Sequence, residues 1–184
     1  MKFFVLSDIH GSVPAFERAM EAFAREGADW LVIAGDYLNH GPRNPIPEGY
    51  DPQALAPLIN AHKFRIMGVR GNCDSEVDQA LLEFPCTGDY LVFFTGKRRC
   101  FATHGHLFDA GNHPPLAEGD IFISGHTHVP LLERRDGLIF LNPGSPSLPK
   151  EGSEPGYALI SSDGIWTKTL DGRIVSTIEF GQST

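Results

Sequence analysis

The sequence predicts an α/β protein of the α+β kind, with two β-sheets packed together and flanked by helices. Three observations predict it. Residues 3–82 alternate short apolar runs with segments of helical spacing, a βαβαβα order. Residues 90–180 read as a succession of short strands. Between those strands stand hairpin-type turns at Gly96-Lys97, Asp136-Gly137, Asp163-Gly164 and Asp171-Gly172.

Residues 3–6 are an apolar run stopped by Ser7-Asp8, as expected of a strand buried on both faces. Ser12 is placed to cap a helix with Pro14 in its first turn, with Phe16, Ala19, Met20, Phe23 and Ala24 at helical spacing, and Gly27 stops it. A second strand over 31–34 ends in Gly35-Asp36. Residues 37–52 are rich in proline and glycine without periodicity and read as a structured loop. A short helix over 54–59 and a third strand over 64–69 follow, the latter ending in Gly71-Asn72-Cys73-Asp74, and Ser75 opens a helix reaching Leu82. Strands are then expected over 90–95, 99–103, 121–124, 131–135, 138–142, 157–161, 165–169 and 173–180.

The 184 residues suit one domain, expected over 1–184. An apolar fraction of 41% excludes wholesale disorder, and 15 Lys+Arg against 23 Asp+Glu, net −8, argue against a broad basic face for nucleic acid. Cys73, Cys86 and Cys100 show no metal-finger or C-x-x-C spacing, and Cys86 and Cys100 read as small core residues. Only four apolar residues precede Asp8, too few for a leader or a membrane span, so a soluble, cytoplasmic protein is expected.

Five polar clusters each follow an apolar strand: Asp8-Ile9-His10, Gly35-Asp36, Gly71-Asn72-Cys73-Asp74, Thr103-His104-Gly105-His106 and Gly125-His126-Thr127-His128. In an open α/β sheet the carboxyl ends of the strands share one edge, where ligands bind, so the clusters should converge. Carboxylate, carboxamide and imidazole donors suit Mn, Fe, Zn, Co or Ni. Asp8, His10, Asp36, Asn72, His104, His126 and His128 are too many for one four-coordinate ion, but with one bridging carboxylate they serve two. Two ions ~3.5–4 Å apart can clamp a phosphoryl group and acidify a bridging water for in-line attack by hydroxide. Asp8 and Asp36 could instead cap helices and Asn72 a turn, but a cap explains neither His10 nor Gly35.

In this order the motifs Asp-x-His, Gly-Asp, Gly-Asn-x-Asp, Thr-His and Gly-His-x-His resemble the calcineurin-like metallophosphoesterase superfamily. The wording Gly71-Asn72-Cys73-Asp74 and the short chain are most similar to its small bacterial and archaeal phosphodiesterases of the YfcE type, and Asn39-His40-Gly41-Pro42-Arg43-Asn44 resembles them too. The likeness runs from residue 2 to about residue 161. It implies the metallophosphoesterase sandwich and a metal-dependent phosphoric diester hydrolase acting on small phosphodiesters. It assigns Asp8, His10, Asp36 and His128 to a first ion, and bridging Asp36, Asn72, His104 and His126 to a second, with Mn²⁺ the usual metal. Arg43 and His40 would contact substrate, and a guanidinium suits phosphate.

The superfamily's commoner motif has His where this chain has Cys73; that His is credited with protonating the leaving group, a task a thiol performs poorly. Aryl diesters should therefore be favoured. Asp74 is expected to orient a ligand His, and His106 to touch substrate or lie beside the site. His62 and His113 read as surface residues, and Asn142-Pro143-Gly144-Ser145 as a turn. The partner expected is a small phosphodiester, with no nucleic acid and no membrane; a homo-oligomer is left open. The alternatives are a non-catalytic scaffold, as in a retromer subunit of this fold, or a nuclease or phosphomonoesterase.

Overall fold

Strand β1 (Phe3–Leu6) turns Phe3 and Val5 toward one apolar layer and Phe4 and Leu6 toward another. That two-sided burial is why no polar residue interrupts the run. The structure, a computed structural model, describes residues 1–181; the last three positions of the domain expected over 1–184 lie outside them. Parallel pairing joins β1 to β2 (Trp30–Ile33), and β2 to β3 (Ile66–Gly68). On the other side β1 pairs antiparallel with β9 (Gly156–Ile160), followed by β10 (Gly164–Thr169) and β11 (Ile174–Glu179), giving the order β11-β10-β9-β1-β2-β3. The second sheet has the order β4-β5-β6-β8-β7, from β4 (Tyr90–Thr95), β5 (Arg98–Thr103), β6 (Ile121–Ile123), β7 (Leu131–Arg135) and β8 (Leu138–Asn142). In it β5, β6 and β8 run parallel.

Phe3, Val5, Val32, Ala102, Ile123 and Leu141 fill the layer between the sheets. The outer face of the first sheet is covered by α1 (Val13–Glu26) and α2 (Pro52–Asn60) through Phe16, Phe23, Leu55 and Ile59. As expected, Ser12 Oγ accepts the Ala15 N–H to open α1, and Gly27 closes it in the left-handed region at φ 58°. A short α3 (Glu76–Leu81) begins at Ser75, whose N–H and hydroxyl both donate to Asp78. The outer face of the second sheet is covered by a loop, with Phe108 and Leu116 on Phe101, Phe122 and Phe140. His62 and His113 are half-buried against aromatic rings, not the free surface residues expected.

The third strand is shorter than the run over 64–69 predicts. Residues Lys63–Arg65 form a 3-10 turn with Phe64 85% exposed. The physical reason is the flanking pair of cations, which keeps this stretch at the surface, where the Arg65 side chain donates to the Asp29 carbonyl.

Glu26 at the end of α1 ties that helix to the sheet, accepting hydrogen bonds from Lys168 Nζ and Tyr157 Oη at 2.7 Å each. Burial pushes its carboxyl up, but these two donors outweigh burial and hold it below the usual range. Glu26→Gln should cost about 1–2 kcal/mol in urea unfolding at pH 7. Because the folded-state pKa is depressed, this stabilisation is present above the unfolded pKa and lost as pH falls through the folded one. The gap between parent and variant should therefore narrow as pH falls below the ordinary glutamate range; a gap that does not narrow contradicts the assignment.

Candidate active site

The carboxyl ends of β1, β2 and β3 in one sheet, and of β5, β6 and β8 in the other, open on a shared edge. All seven predicted donors meet there. Asp8 Oδ1 stands 3.6 Å from His10 Nε2 and 3.3 Å from His128 Nε2, and those two nitrogens are 3.2 Å apart. Asp36 Oδ2 is 3.6 Å from His10 Nε2 and 3.4 Å from His104 Nε2. Around His104 Nε2 lie Asn72 Oδ1 at 3.0 Å and His126 Nδ1 at 3.3 Å. Donors bound at about 2.1 Å to one cation stand roughly 3.0–3.4 Å from one another, so these spacings suit coordination. Asp36 Oδ2 is the atom common to both groups.

The protonation pattern makes the same demand. His10 Nδ1 donates to the Asn39 carbonyl at 2.8 Å, His104 Nδ1 to Ala34 at 2.7 Å and His128 Nδ1 to Leu148 at 2.7 Å. A carbonyl can only accept, so each neutral ring presents a lone pair at Nε2. Two such lone pairs face each other at 3.2 Å, beside a buried Asp8 Oδ1 that has no hydrogen-bond partner among the described residues. Positive charge placed among them, a metal cation or a proton, reconciles them.

In a cation's absence protons are drawn in. Burial opposes an imidazolium at His104, but the Asp36 and Asp8 carboxylates raise it to about 9, and His10 is raised by Asp8 in the same way. Burial pushes Asp8 and Asp36 up, yet the surrounding imidazoles hold both below the usual carboxylate range, Asp8 far below. His126 and His106 are lowered, by burial and then by the neighbouring His104.

The backbone is strained to aim these groups. Asp8, His10, Asp36, His126 and His128 all lie in the left-handed region, with φ between 52° and 67°. Each costs about 1–2 kcal/mol, and such outliers cluster at functional sites. Close backbone approach does the rest. A Cβ on Gly71 would fall 2.0 Å from Asp36 Oδ1, and one on Gly125 would fall 1.8 Å from Ser7 Oγ and 2.6 Å from Asp8 Oδ2.

Asp74 differs from expectation. Its carboxylate touches no imidazole; it accepts the backbone N–H groups of Asp36, Tyr37 and Gly71 at 2.7–2.9 Å, fastening the loop after β2 to the loop after β3. Burial and the Asp36 charge push it up to about 7. His40 differs too: its ring packs edge-on against Tyr50, away from the cavity over the donors. That cavity, about 420 Å³, is lined by Arg43 and by Cys73. Burial, then the Asp36 charge, pushes the Cys73 thiol up to about 12. His106 borders the site, its ring 5.4 Å from that of His104.

Several supports were missed. Ser145 and Ser147 hydroxyls donate to the Asp8 carbonyl, and Asn142 Nδ2 to the Gly125 carbonyl at 2.8 Å. The signal was present, since Asn142-Pro143-Gly144-Ser145 is a sixth polar cluster directly after a parallel strand.

Residues 1–164 match the model of the calcineurin-like phosphoesterase superfamily domain. Phosphodiesterase YfcE of Escherichia coli is 51% identical over 163 residues, 89% of each chain. The solved structure of that phosphoesterase superposes with TM-score 0.94 at 47% identity, covering 97% of this chain and 98% of that one. Vacuolar protein sorting 29 from Cryptosporidium parvum shares the fold alone, with TM-score 0.66 at 17% identity over 97% of both chains. With its donors at the strand ends and this match along most of its length, the chain belongs to the calcineurin-like phosphoesterase superfamily.

Proposed function

We propose that the chain is a metal-dependent phosphodiesterase that hydrolyses small phosphodiesters at a binuclear centre. Asp8, His10, Asp36 and His128 would hold one ion, and Asp36, Asn72, His104 and His126 the other, with Asp36 bridging. The observation that carries this reading is the pair of imidazole lone pairs facing each other beside an unpartnered, buried Asp8 oxygen. When bound, two divalent ions supply neutralisation of the phosphoryl oxygens and acidification of the water that attacks phosphorus. Mn²⁺ is the metal favoured within the superfamily, with Zn, Fe, Ni and Co compatible with the same donors.

The chain's own residues do the positioning. Carbonyls of Asn39, Ala34 and Leu148 fix three imidazole tautomers, and Asp74 holds the Asp36 loop. Arg43 lines the cavity, and its guanidinium suits an oxyanion elsewhere on the substrate. Net charge −8 argues against nucleic acid as the substrate, and three free cysteines fit the cytoplasm. The complete donor set argues against a purely scaffolding role.

Cys73 sets the choice of ester. Its thiol, pushed up by burial and the Asp36 charge, stays protonated and is a poor proton donor. Without a general acid the leaving group departs unassisted, a deficit of roughly 10²–10⁴-fold for poor leaving groups. Purified protein loaded with Mn²⁺ should hydrolyse aryl diesters with a steep dependence on leaving-group pKa. A flat dependence would remove the Cys73 argument, and no hydrolysis of any diester would remove the function.

A further inference from the structure

The cavity over the donor cluster has a second charged wall that catalysis at phosphorus does not use. It runs outward from Asp36, Asn72 and His126 between the loop bearing Arg43 and the segment bearing Lys150. Lys150 is brought there by its backbone N–H, which donates to the His128 carbonyl at 3.3 Å, so a residue 22 positions beyond the last donor is carried back to the site. Both side chains are exposed, and among the described residues neither forms an ion pair or a side-chain hydrogen bond. By contrast Arg70, Arg99, Lys168 and Arg173 are each matched to a carboxylate. In a chain of net −8, two unmatched cations lining one cavity are conspicuous. Among the described residues the only acid lining it is Asp36, which belongs to the donor cluster. The remaining wall near the cations is uncharged, with Asn44 and Thr127 polar and Pro42 and Pro45 apolar.

A phosphodiester carries one negative charge, and that charge is consumed at the cations of the centre. Two further positive groups at the mouth would be left facing water unless the substrate brings more charge. We infer that Arg43 and Lys150 form an anion subsite, and that the substrates are phosphodiesters whose non-leaving arm carries a second acidic group, a carboxylate or a phosphate. The inference rests on the phosphodiesterase reading above. Arg43 offers a planar fork that suits either oxyanion, and Lys150 a compact charge on a long stem, so the pair tolerates arms of different length.

The test uses three p-nitrophenyl phosphodiesters with the Mn²⁺-loaded protein, their second arms being ethyl, 2-carboxyethyl and 2-phosphonatoethyl. kcat/KM should be about tenfold higher for the acidic arms, chiefly through KM, since each charge-assisted contact is made before and during reaction alike. Whichever acidic arm shows the larger gain identifies the anion. Lys150→Gln should shrink the preference several-fold and Lys150→Glu should abolish or reverse it. Equal rates for all three arms, or a preference that Lys150→Glu leaves intact, overturns the inference. Calorimetric binding of the matching non-hydrolysable phosphonates reads the subsite independently of turnover. Tighter binding of the acidic arms without any hydrolysis would keep the subsite and refute the phosphodiesterase reading; hydrolysis without discrimination in rate or binding would do the opposite.

Discussion

Asp36→Asn should reduce Mn²⁺-dependent diester hydrolysis by about 10³-fold or more and leave the fold intact. The two oxygens of Asp36 have separate duties. Oδ1 accepts the Cys73 N–H at 2.9 Å, while Oδ2 stands between His10 Nε2 and His104 Nε2. An amide of the same shape fails in either orientation. If its oxygen keeps the Cys73 N–H, its NH₂ points at the cations; if flipped, two donors face each other at Cys73. The bridging charge is lost in both cases. Metal analysis should accordingly find at most one firmly held ion per chain, and a variant with parental metal content and rate would exclude Asp36 as the bridge.

Gly71→Ala should be nearly as damaging, although it changes no donor. The backbone at Gly71 lies outside the left-handed region, so alanine adds no torsional strain, and the whole effect is the Cβ that would fall 2.0 Å from Asp36 Oδ1 and 2.4 Å from the Asp36 nitrogen. Relief requires moving the Asp36 loop, which Asp74 and Cys73 hold in place. A displacement of about 1 Å at a reacting centre costs on the order of 10²-fold in rate, and overpacking about 1–3 kcal/mol in stability. Gly88→Ala is the control, since its Cβ meets only the Tyr90 carbonyl at 3.5 Å. Equal activity of the two variants would show that the loop yields freely and that close approach at Gly71 is unimportant.

Much of the fold was legible because burial writes directly into composition. Strands such as β1 and β2, covered on both faces, are unbroken apolar runs, and the turns Gly96-Lys97 and Asp136-Gly137 mark hairpins. The donor set was legible for a related reason: parallel strands end on one edge, so Asp and His placed after each strand converge whatever the intervening loops do. What escaped was whatever depends on backbone direction. Asp and His enter the left-handed region more readily than most residues, but the residue type alone does not tell which of them will, and five donors do. Asp74 lies two residues from Asn72, but its carboxylate turns inward to three amides, a choice set by the unpaired N–H groups of two loops. His40 was drawn away by Tyr50, and Lys150 brought in by one backbone hydrogen bond, neither of which leaves a trace in local pattern.

In the proposed centre, seven side chains from five strand ends would hold a pair of cations sharing one carboxylate. Calorimetric titration of chelator-treated protein with Mn²⁺ tests it most directly, with elemental analysis of the loaded product as a check. Two ions per chain are expected, falling to one or none in Asp36→Asn. Saturation of the parent protein at a single ion, or no binding above that of the variant, would contradict it.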